Sequence, residues 1–467
     1  ALDAASLLKA LDRYPFGCTE QITSRALPLL YVNELAAETH LALDKASDER
    51  IKDAIDRLLA RQGSNGSFGM WSSGGDDDWL DAYVADFLTR AREKGFGVPD
   101  VAFRNALDRI RNSVVNAEEP DKTGGQALAY GLYVLARNGN APVGDLRYLA
   151  DTKLDKLATP IARAQLAAAL ALVGDRTRAE RAYAAALAGL DPKPVLRFGR
   201  SDYGSALRDA AALATLASEG SAPRATLAAA VERVEAARGL ASYTSTQENA
   251  WMVLAARALA KDAGLAVDLD GSAASRPLYR SYRAADVEGR TVTLVNTGDA
   301  PVQAVVSVSG NPLTPEPEAS HGFTIVRKYF SLDGAPADPA AAKQNDRLAV
   351  VLTVTEPKPE NGRVLVVDHL PAGFEIDNPH LVSSGDSGTL DWIEDGVEAE
   401  HTEFRDDRFT AAIVRRPNDK TVFTLAYVVR AVSPGTYVLP QAYVEDMYNP
   451  SRYGRTATGR IEVRPAR

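Results

Sequence analysis

The chain of 467 residues has one cysteine, three methionines and five histidines. A single cysteine excludes an internal disulfide and any metal site built from several thiolates. It does not report the compartment, because a disulfide-free protein can work in an oxidising space. No apolar run approaches the roughly 18 residues of a membrane-spanning helix. Cationic surplus is also missing: 53 Lys and Arg stand against 62 Asp and Glu, a net charge of −9. General nucleic-acid binding therefore has no electrostatic support.

What is present is a globular composition, 45% hydrophobic and 25% charged, which argues against disorder or collagen. The length suits two to four domains of roughly 100–200 residues each. The opening Ala1-Leu2-Asp3 has no initiator Met and no basic-then-apolar leader, so the chain reads as cut from something longer.

Residues 1–264 read as helical. Alanine, the best helix former, is dense between Ala127 and Ala263. Ile51, Ile55, Leu58 and Leu59, and again Leu128, Leu132 and Leu135, recur at helical steps. Glycine-rich punctuation such as Gly63-Ser64-Asn65-Gly66-Ser67 and Ser72-Ser73-Gly74-Gly75 separates the helices. Gln62–Trp71 resembles the turns between helices of α/α toroids, with worn counterparts at Gly199–Gly204 and Tyr243–Trp251. Helix pairs that cannot bury their faces alone must stack or close into a ring. After about residue 264 the pattern changes to β-branched alternation: Val292–Val295, Val302–Val308, Leu348–Val354, Val364–Val367 and Val422–Val429. This half reads as β-sandwich. The Pro/Ala-rich run Asp333–Ala342 reads as a linker, dividing it into a short partial β region at 265–342 and a complete sandwich at 343–467.

The cysteine lies in Tyr14-Pro15-Phe16-Gly17-Cys18-Thr19-Glu20-Gln21. At a helix start, that spacing puts Cys18 and Gln21 on one side. The sulfur can then attack the Gln21 carbonyl, expel ammonia and leave an internal thioester. Gly17 allows a tight turn, and Tyr14 and Phe16 can keep water away. Glu20 reads equally as an orienting carboxylate or as a solvated first-turn charge.

Gly-Cys-Thr-Glu-Gln after Tyr-Pro-Phe resembles the thioester motif of the α2-macroglobulin and complement superfamily, and the lead-in is most similar to the bacterial members. Val444–Pro450 resembles that family's last domain. The resemblance implies an α/α toroid thioester domain (1–264), a partial CUB-type region (265–342) and a C-terminal macroglobulin-type sandwich (343–467). It implies a protease inhibitor that works once and is no turnover enzyme, needing no cofactor. Cleavage of a bait region elsewhere would expose the thioester, and an amine of the protease would attack Gln21, releasing Cys18. Tyr14 and Met447 match the positions that shield the bond in bacterial members. Some relatives carry a histidine about a hundred residues after the motif that redirects transfer to hydroxyls. Here no histidine occurs between Leu41 and Ser320, so transfer is expected to favour amines. The resemblance further implies a periplasmic protein held at the inner membrane by a lipid anchor outside this chain, with target proteases as partners. A cell-wall synthase of the penicillin-binding class is an implied partner.

One competing pattern is present. Asp77, Asp78 and Asp81 spell the Asp-Asp-x-x-Asp motif that holds magnesium diphosphate in helical terpene cyclases and prenyltransferases. The plainer reading is a helix cap with an acidic first turn, and no metal site is expected. His321, His369, His380 and His401 lack ligand spacing. The glycine-rich Gly63–Gly75 segment is not followed by Lys-Ser/Thr, so it is no phosphate loop.

Overall fold

The computed structural model describes residues 2–11, 17–32, 47–191, 199–241, 243–262, 266–274, 278, 280–299, 302, 304–308, 310, 312–377 and 390–466. The chain forms two compact units. One comprises Ala1–Arg197, Ser201–Ala241 and Thr246–Val308; the other comprises Phe198–Arg200, Ser242–Ser245 and Ser309–Arg467.

The first unit is built on α1 (Ala4–Leu11), α2 (Thr19–Leu29), α3 (Ser47–Leu59), α4 (Asp78–Glu93), α5 (Asp100–Val115), α6 (Pro120–Thr123), α7 (Gln126–Arg137) and α8 (Val143–Tyr148). It continues with α9 (Pro160–Leu172), α10 (Arg176–Ala188), α11 (Ala206–Glu219), α12 (Arg224–Arg238) and α13 (Thr246–Asp262). Among the described residues, six helices form a closed inner ring: α2 packs on α4, α4 on α7, α7 on α9, α9 on α11, α11 on α13, and α13 returns to α2. This is the α/α toroid expected from the sequence. The inner helices are buried on every side, as in α4, where Trp79 through Ala91 are all buried. Runs of alanine, such as Ala210–Ala212 in α11, let the inner helices approach closely. Outer helices bury one stripe only: Ile51, Ala54, Ile55 and Leu58 on α3, and Leu227, Ala230, Val234 and Ala237 on α12.

Beyond the ring, β1 (Val267–Leu269), β2 (Ser272–Ala274) and β3 (Leu294–Asn296) form a small antiparallel sheet in the order β2-β1-β3. A four-residue helix, α14 (Ala284–Val287), lies between β2 and β3 in sequence. The strand expected at Val302–Val308 is absent from the described residues there, and Val306 and Val308 are exposed. Alternation alone makes no strand without a partner to pair with.

The second unit is a sandwich. Its strands are β4 (Ala319–His321), β5 (Thr324–Phe330), β6 (Arg347–Thr355), β7 (Gly362–His369), β8 (Phe374–Ile376), β9 (His401–Phe404), β10 (Arg408–Arg415) and β11 (Val422–Ala431), then β12 (Gly435–Leu439), β13 (Ala442–Asp446), β14 (Asn449–Arg455) and β15 (Gly459–Val463). A sheet in the order β4-β14-β13-β7-β10-β9 accompanies one in the order β5-β6-β11-β8, and β12 pairs with β15. Alternate residues fill the core: Leu348, Val350, Leu352 and Val354 from β6, Phe409, Ala411 and Ile413 from β10, and Phe423, Leu425, Tyr427 and Val429 from β11.

The boundary expected at residue 343 does not match this sheet. β5 pairs along its length with β6, from Thr324↔Thr355 to Phe330↔Ala349, and β4 pairs with β14. The Asp333–Ala342 run is the connection inside the β5–β6 hairpin. Gly334 N–H donates to the Ser331 carbonyl at 3.0 Å, Ala337 N–H to the Tyr329 carbonyl at 2.9 Å, and Ala342 is buried. Pro/Ala-rich composition resembles a linker, but here the prolines and turns shape a loop whose last alanine belongs to the core.

Candidate functional site

Cys18 is the N-cap of α2. Its side chain accepts the Gln21 N–H at 3.4 Å, while the Gln21 side-chain oxygen accepts the Cys18 N–H at 3.3 Å. This is a reciprocal capping box with sulfur in the place of a hydroxyl. Two amide groups that a helix start would otherwise leave unpaired thus bring the sulfur and the glutamine carbonyl group to the same turn. Cys18 is 0% exposed and Gln21 1%. Gly17 takes a φ of +62°, and a Cβ there would run into the guanidinium of Arg57. The left-handed conformation therefore calls for glycine, as the tight turn needs, while the Arg57 side chain can swing aside.

Glu20 is fully buried, so the reading of a solvated charge is overturned. Its carboxylate accepts Ser24 Oγ at 2.5 Å, Thr246 Oγ1 at 3.0 Å and Gln247 Nε2 at 2.9 Å. Thr246 and Gln247 begin α13, so Glu20 ties the last inner helix to the first. Gln247 extends the network, its oxygen accepting Arg208 Nη1 at 3.2 Å. Arg208 in turn pairs with Asp202 at 2.7 Å and Asp209 at 2.9 Å. On the other side Ser24 Oγ lies 2.8 Å from the Tyr83 hydroxyl. Burial, then the Glu20 charge, pushes the Tyr83 hydroxyl's pKa well up, keeping it protonated. Sequence reasoning missed Ser24, Tyr83, Thr246 and Gln247 as partners. The available signal was the Tyr243–Trp251 segment, which resembles the other inner-helix starts.

The loop between α3 and α4 reaches the same turn. Thr19 N–H donates to the Met70 carbonyl at 2.8 Å, and Thr19 Oγ1 donates to the Gly69 carbonyl at 2.5 Å. Arg61 Nη1 donates to Thr19 Oγ1 at 3.2 Å and to the Met70 carbonyl at 3.1 Å.

The Asp-rich motif proves to be structural. Asp77 caps α4, accepting Leu80 N–H at 3.0 Å, and pairs with the Tyr203 hydroxyl. Asp78 and Asp81 hold Arg109 at 2.7 Å and 2.8 Å. Asp81 also accepts Phe68 N–H at 2.6 Å; burial pushes its carboxyl up to about 6 despite these donors. These carboxylates are committed to protein partners, against the cyclase alternative. Among the described residues no group of three His, Cys, Asp or Glu side chains is arranged to hold a metal ion. His321 packs on Tyr453 and His401 faces Glu403 at 3.6 Å; His380 lies outside the described residues.

Tyr14 also lies outside the described residues. Met447 is buried in the turn between β13 and β14, its N–H donating to the Arg363 carbonyl at 2.8 Å.

With this geometry in view, comparison with known proteins is decisive. Residues 2–114 match the A-macroglobulin TED domain and residues 322–451 match the bacterial α2-macroglobulin MG10 domain. An α2-macroglobulin of Xylella fastidiosa is 34% identical over 98% of this chain, and that of Escherichia coli K12 is 33% identical over 99%. The chain belongs to the bacterial α2-macroglobulin family. It spans 29% of the length of each of these two relatives. Native E. coli α2-macroglobulin, solved from domain MG7 to the C-terminus, superposes with a TM-score of 0.82 at 29% identity, covering 99% of this chain and 76% of that one. Salmonella α2-macroglobulin reacted with methylamine gives 0.83 at 32% identity, covering 100% of this chain and 31% of that one. The toroid followed by antiparallel sheets is thus the C-terminal architecture of an α2-macroglobulin.

Proposed function

We propose that this chain is the thioester-bearing part of a covalent protease trap. The observation that carries the reading is the buried capping box, which places the Cys18 sulfur and the Gln21 carbonyl at one helix start. Sγ attacks the Gln21 side-chain carbonyl carbon and the C–N bond breaks. The thiol proton leaves with the amide nitrogen as ammonia, and a thioester remains. The Cys18 N–H, already on Oε1, steadies the negative oxygen of the intermediate. On activation an amine attacks the same carbon, an amide forms, and the sulfur leaves as thiolate. The positive end of α2 and the Gln21 N–H favour that charge. Each molecule reacts once, so the function is inhibition of target proteases and no turnover enzyme is involved.

The remaining parts of the proposal rest on the resemblance of the motif to the bacterial members. Tyr14 and Met447 shield the bond before activation. Bait cleavage elsewhere in the longer protein exposes it, and transfer goes to amines because no histidine occurs in the sequence between Leu41 and Ser320. The whole protein works in the periplasm, anchored at the inner membrane, with a penicillin-binding cell-wall synthase as its partner there.

Intact mass spectrometry tests the core of this. Freshly prepared chain is expected to be lighter than its sequence by one ammonia. Methylamine is expected to add to it and release one titratable thiol, with glycerol a far poorer acceptor. Gln21→Ala removes both effects. A full-mass wild-type chain that methylamine leaves unchanged overturns the thioester, and equal capture by glycerol overturns the amine preference.

A further inference from the structure

The glycine-rich loop between α3 and α4, left without a role by the sequence, is the best-supported unexplained feature near the site. It is folded onto itself. Gly63 N–H donates to the Ser67 carbonyl at 2.8 Å, and Gly69 and Gly74 N–H both donate to the Arg61 carbonyl, at 3.3 Å and 3.0 Å. A Cβ on Gly69 would run into the Ser72 and Gly74 carbonyl oxygens, so this compact form needs glycine there. Its far end is pinned to the inner ring. Asp81 holds Phe68 N–H at 2.6 Å, and Arg109 clamps Asp81 and Asp78. Phe68 itself is 1% exposed.

The next two carbonyls, Gly69 and Met70, are the ones Thr19 uses. Thr19 is 0% exposed and sits directly after Cys18. A first-turn amide and hydroxyl in that position need partners, and the loop supplies both. Arg61 completes the clamp by donating to the Met70 carbonyl and to Thr19 Oγ1 at once. The contacts run without a gap from Arg109 and Asp81, through Phe68, Gly69 and Met70, to Thr19 and the reactive turn.

We infer that the Gln62–Gly75 loop is a brace for the Cys18–Gln21 turn, and that Thr19, Arg61 and, at one remove, Asp81 are positioning residues for the thioester. This rests on the thioester reading above. The brace holds the sulfur and the glutamine carbonyl at bonding approach while the bond forms and fixes the turn once it has formed. The Asp-x-x-x-Asp spacing of Asp77 and Asp81 thereby gains a role: Asp77 caps the helix and Asp81 anchors the brace.

The test compares Thr19→Val, Thr19→Ser and Gly69→Ala in the full chain. The fraction of molecules lighter by one ammonia and the rate of thiol release in methylamine are read by intact mass, with thermal midpoints alongside. Loss of the Thr19 hydroxyl, or distortion of the loop by Gly69→Ala, is expected to change thioester yield or release rate about tenfold, the scale of one buried hydrogen bond. Thr19→Ser restores wild-type behaviour. A purely structural role would move the thermal midpoint and leave yield and rate unchanged. The same substitutions are made in a Gln21→Ala background, where the sulfur is not acylated, and alkylation of Cys18 by iodoacetamide is timed. Thr19→Val is expected to speed it, and Thr19→Ser not to. Wild-type yield, release rate and alkylation rate in Thr19→Val and Gly69→Ala overturn the brace. A wild-type chain with no mass deficit overturns the thioester instead, and the alkylation series still reads the brace.

Discussion

The helical ring and the β-sandwich both bury charge, but in different places. In the ring the charges lie on the inner helices themselves. Arg90 is fully buried against Asp86 at 2.8 Å and Glu219 at 2.8 Å, and also donates to the Tyr31 and Tyr133 hydroxyls. Arg208 with Asp202 and Asp209 repeats the arrangement nearer the Cys18–Gln21 turn. In the sandwich the central cluster is hydrophobic, with Tyr427 contributing the polar atom. Among the described residues its buried ion pairs are few: Glu356 with Arg415 at 3.0 Å at strand ends, and Asp368, beside the end of β7, with Arg327 in the middle of β5. Helices in a small ring meet along their whole length, so specific partners fix which helix faces which. A two-sheet stack sets register by pleat and alternation, and needs fewer polar contacts in its middle.

The sharpest break of that comparison is Arg90→Met. It removes the cation and leaves the carboxylate of Asp86, 0% exposed, without its ion-pair partner, while Glu219 keeps Arg137 and Arg257. The expected loss is about 3–5 kcal/mol of ring stability, read as a shift of the helical unfolding transition in urea. Replacing Asp86 by leucine in the same chain is expected to recover most of it, because the cost lies in the uncompensated buried carboxylate. Loss below about 1 kcal/mol in the single variant would show that the ring does not depend on this pairing.

Next in size is Val366→Ala in β7, at the centre of the sandwich cluster. Transfer and cavity terms together predict about 2 kcal/mol, confined to the transition of the β unit. Equal loss from both units would show that they unfold as one.

The contrast also explains what could be read beforehand. β6, β7 and β11 were legible because β-branched alternation is the packing rule of a sheet. The helices of the ring were legible from alanine content and helical periodicity. The inner-ring assignments of Glu20, Asp81, Asp86, Arg90 and Arg208 were not, because a charged residue on a helix ordinarily marks the solvent side. Only the ring closure between α13 and α2 reveals that Glu20 has Thr246 and Gln247 as partners, more than 220 residues away. The Cys18–Gln21 pair was legible because a spacing of three within one turn needs no long-range information. The sandwich start was misplaced because the β5–β6 connection has linker composition.

The smallest effect is in acid, where one group from each unit carries opposite signs. Asp446 ends β13 and accepts Tyr448 and Asn449 N–H at 3.0 Å and 3.1 Å. Burial nonetheless pushes its carboxyl up from 3.8 to about 6. The folded sandwich therefore binds this proton more tightly than the unfolded chain. Its contribution to stability grows as pH falls from about 6 toward 4. For Glu219 burial opposes ionisation, but Arg90 foremost, with Arg137 and Arg257, overrides it and brings the carboxyl down from 4.5 to about 2. The ring thus keeps Glu219's contribution above pH 4.5 and loses it as pH falls toward 2. Each contribution is on the order of 1 kcal/mol. In urea unfolding followed by helical and sheet signals separately, Asp446→Asn is expected to flatten the sandwich's gain between about pH 6 and 4. Glu219→Gln is expected to flatten the ring's loss below pH 4.5. A wild-type slope in either variant would show that a different carboxylate governs that unit, and would remove the opposition of sign between ring and sandwich.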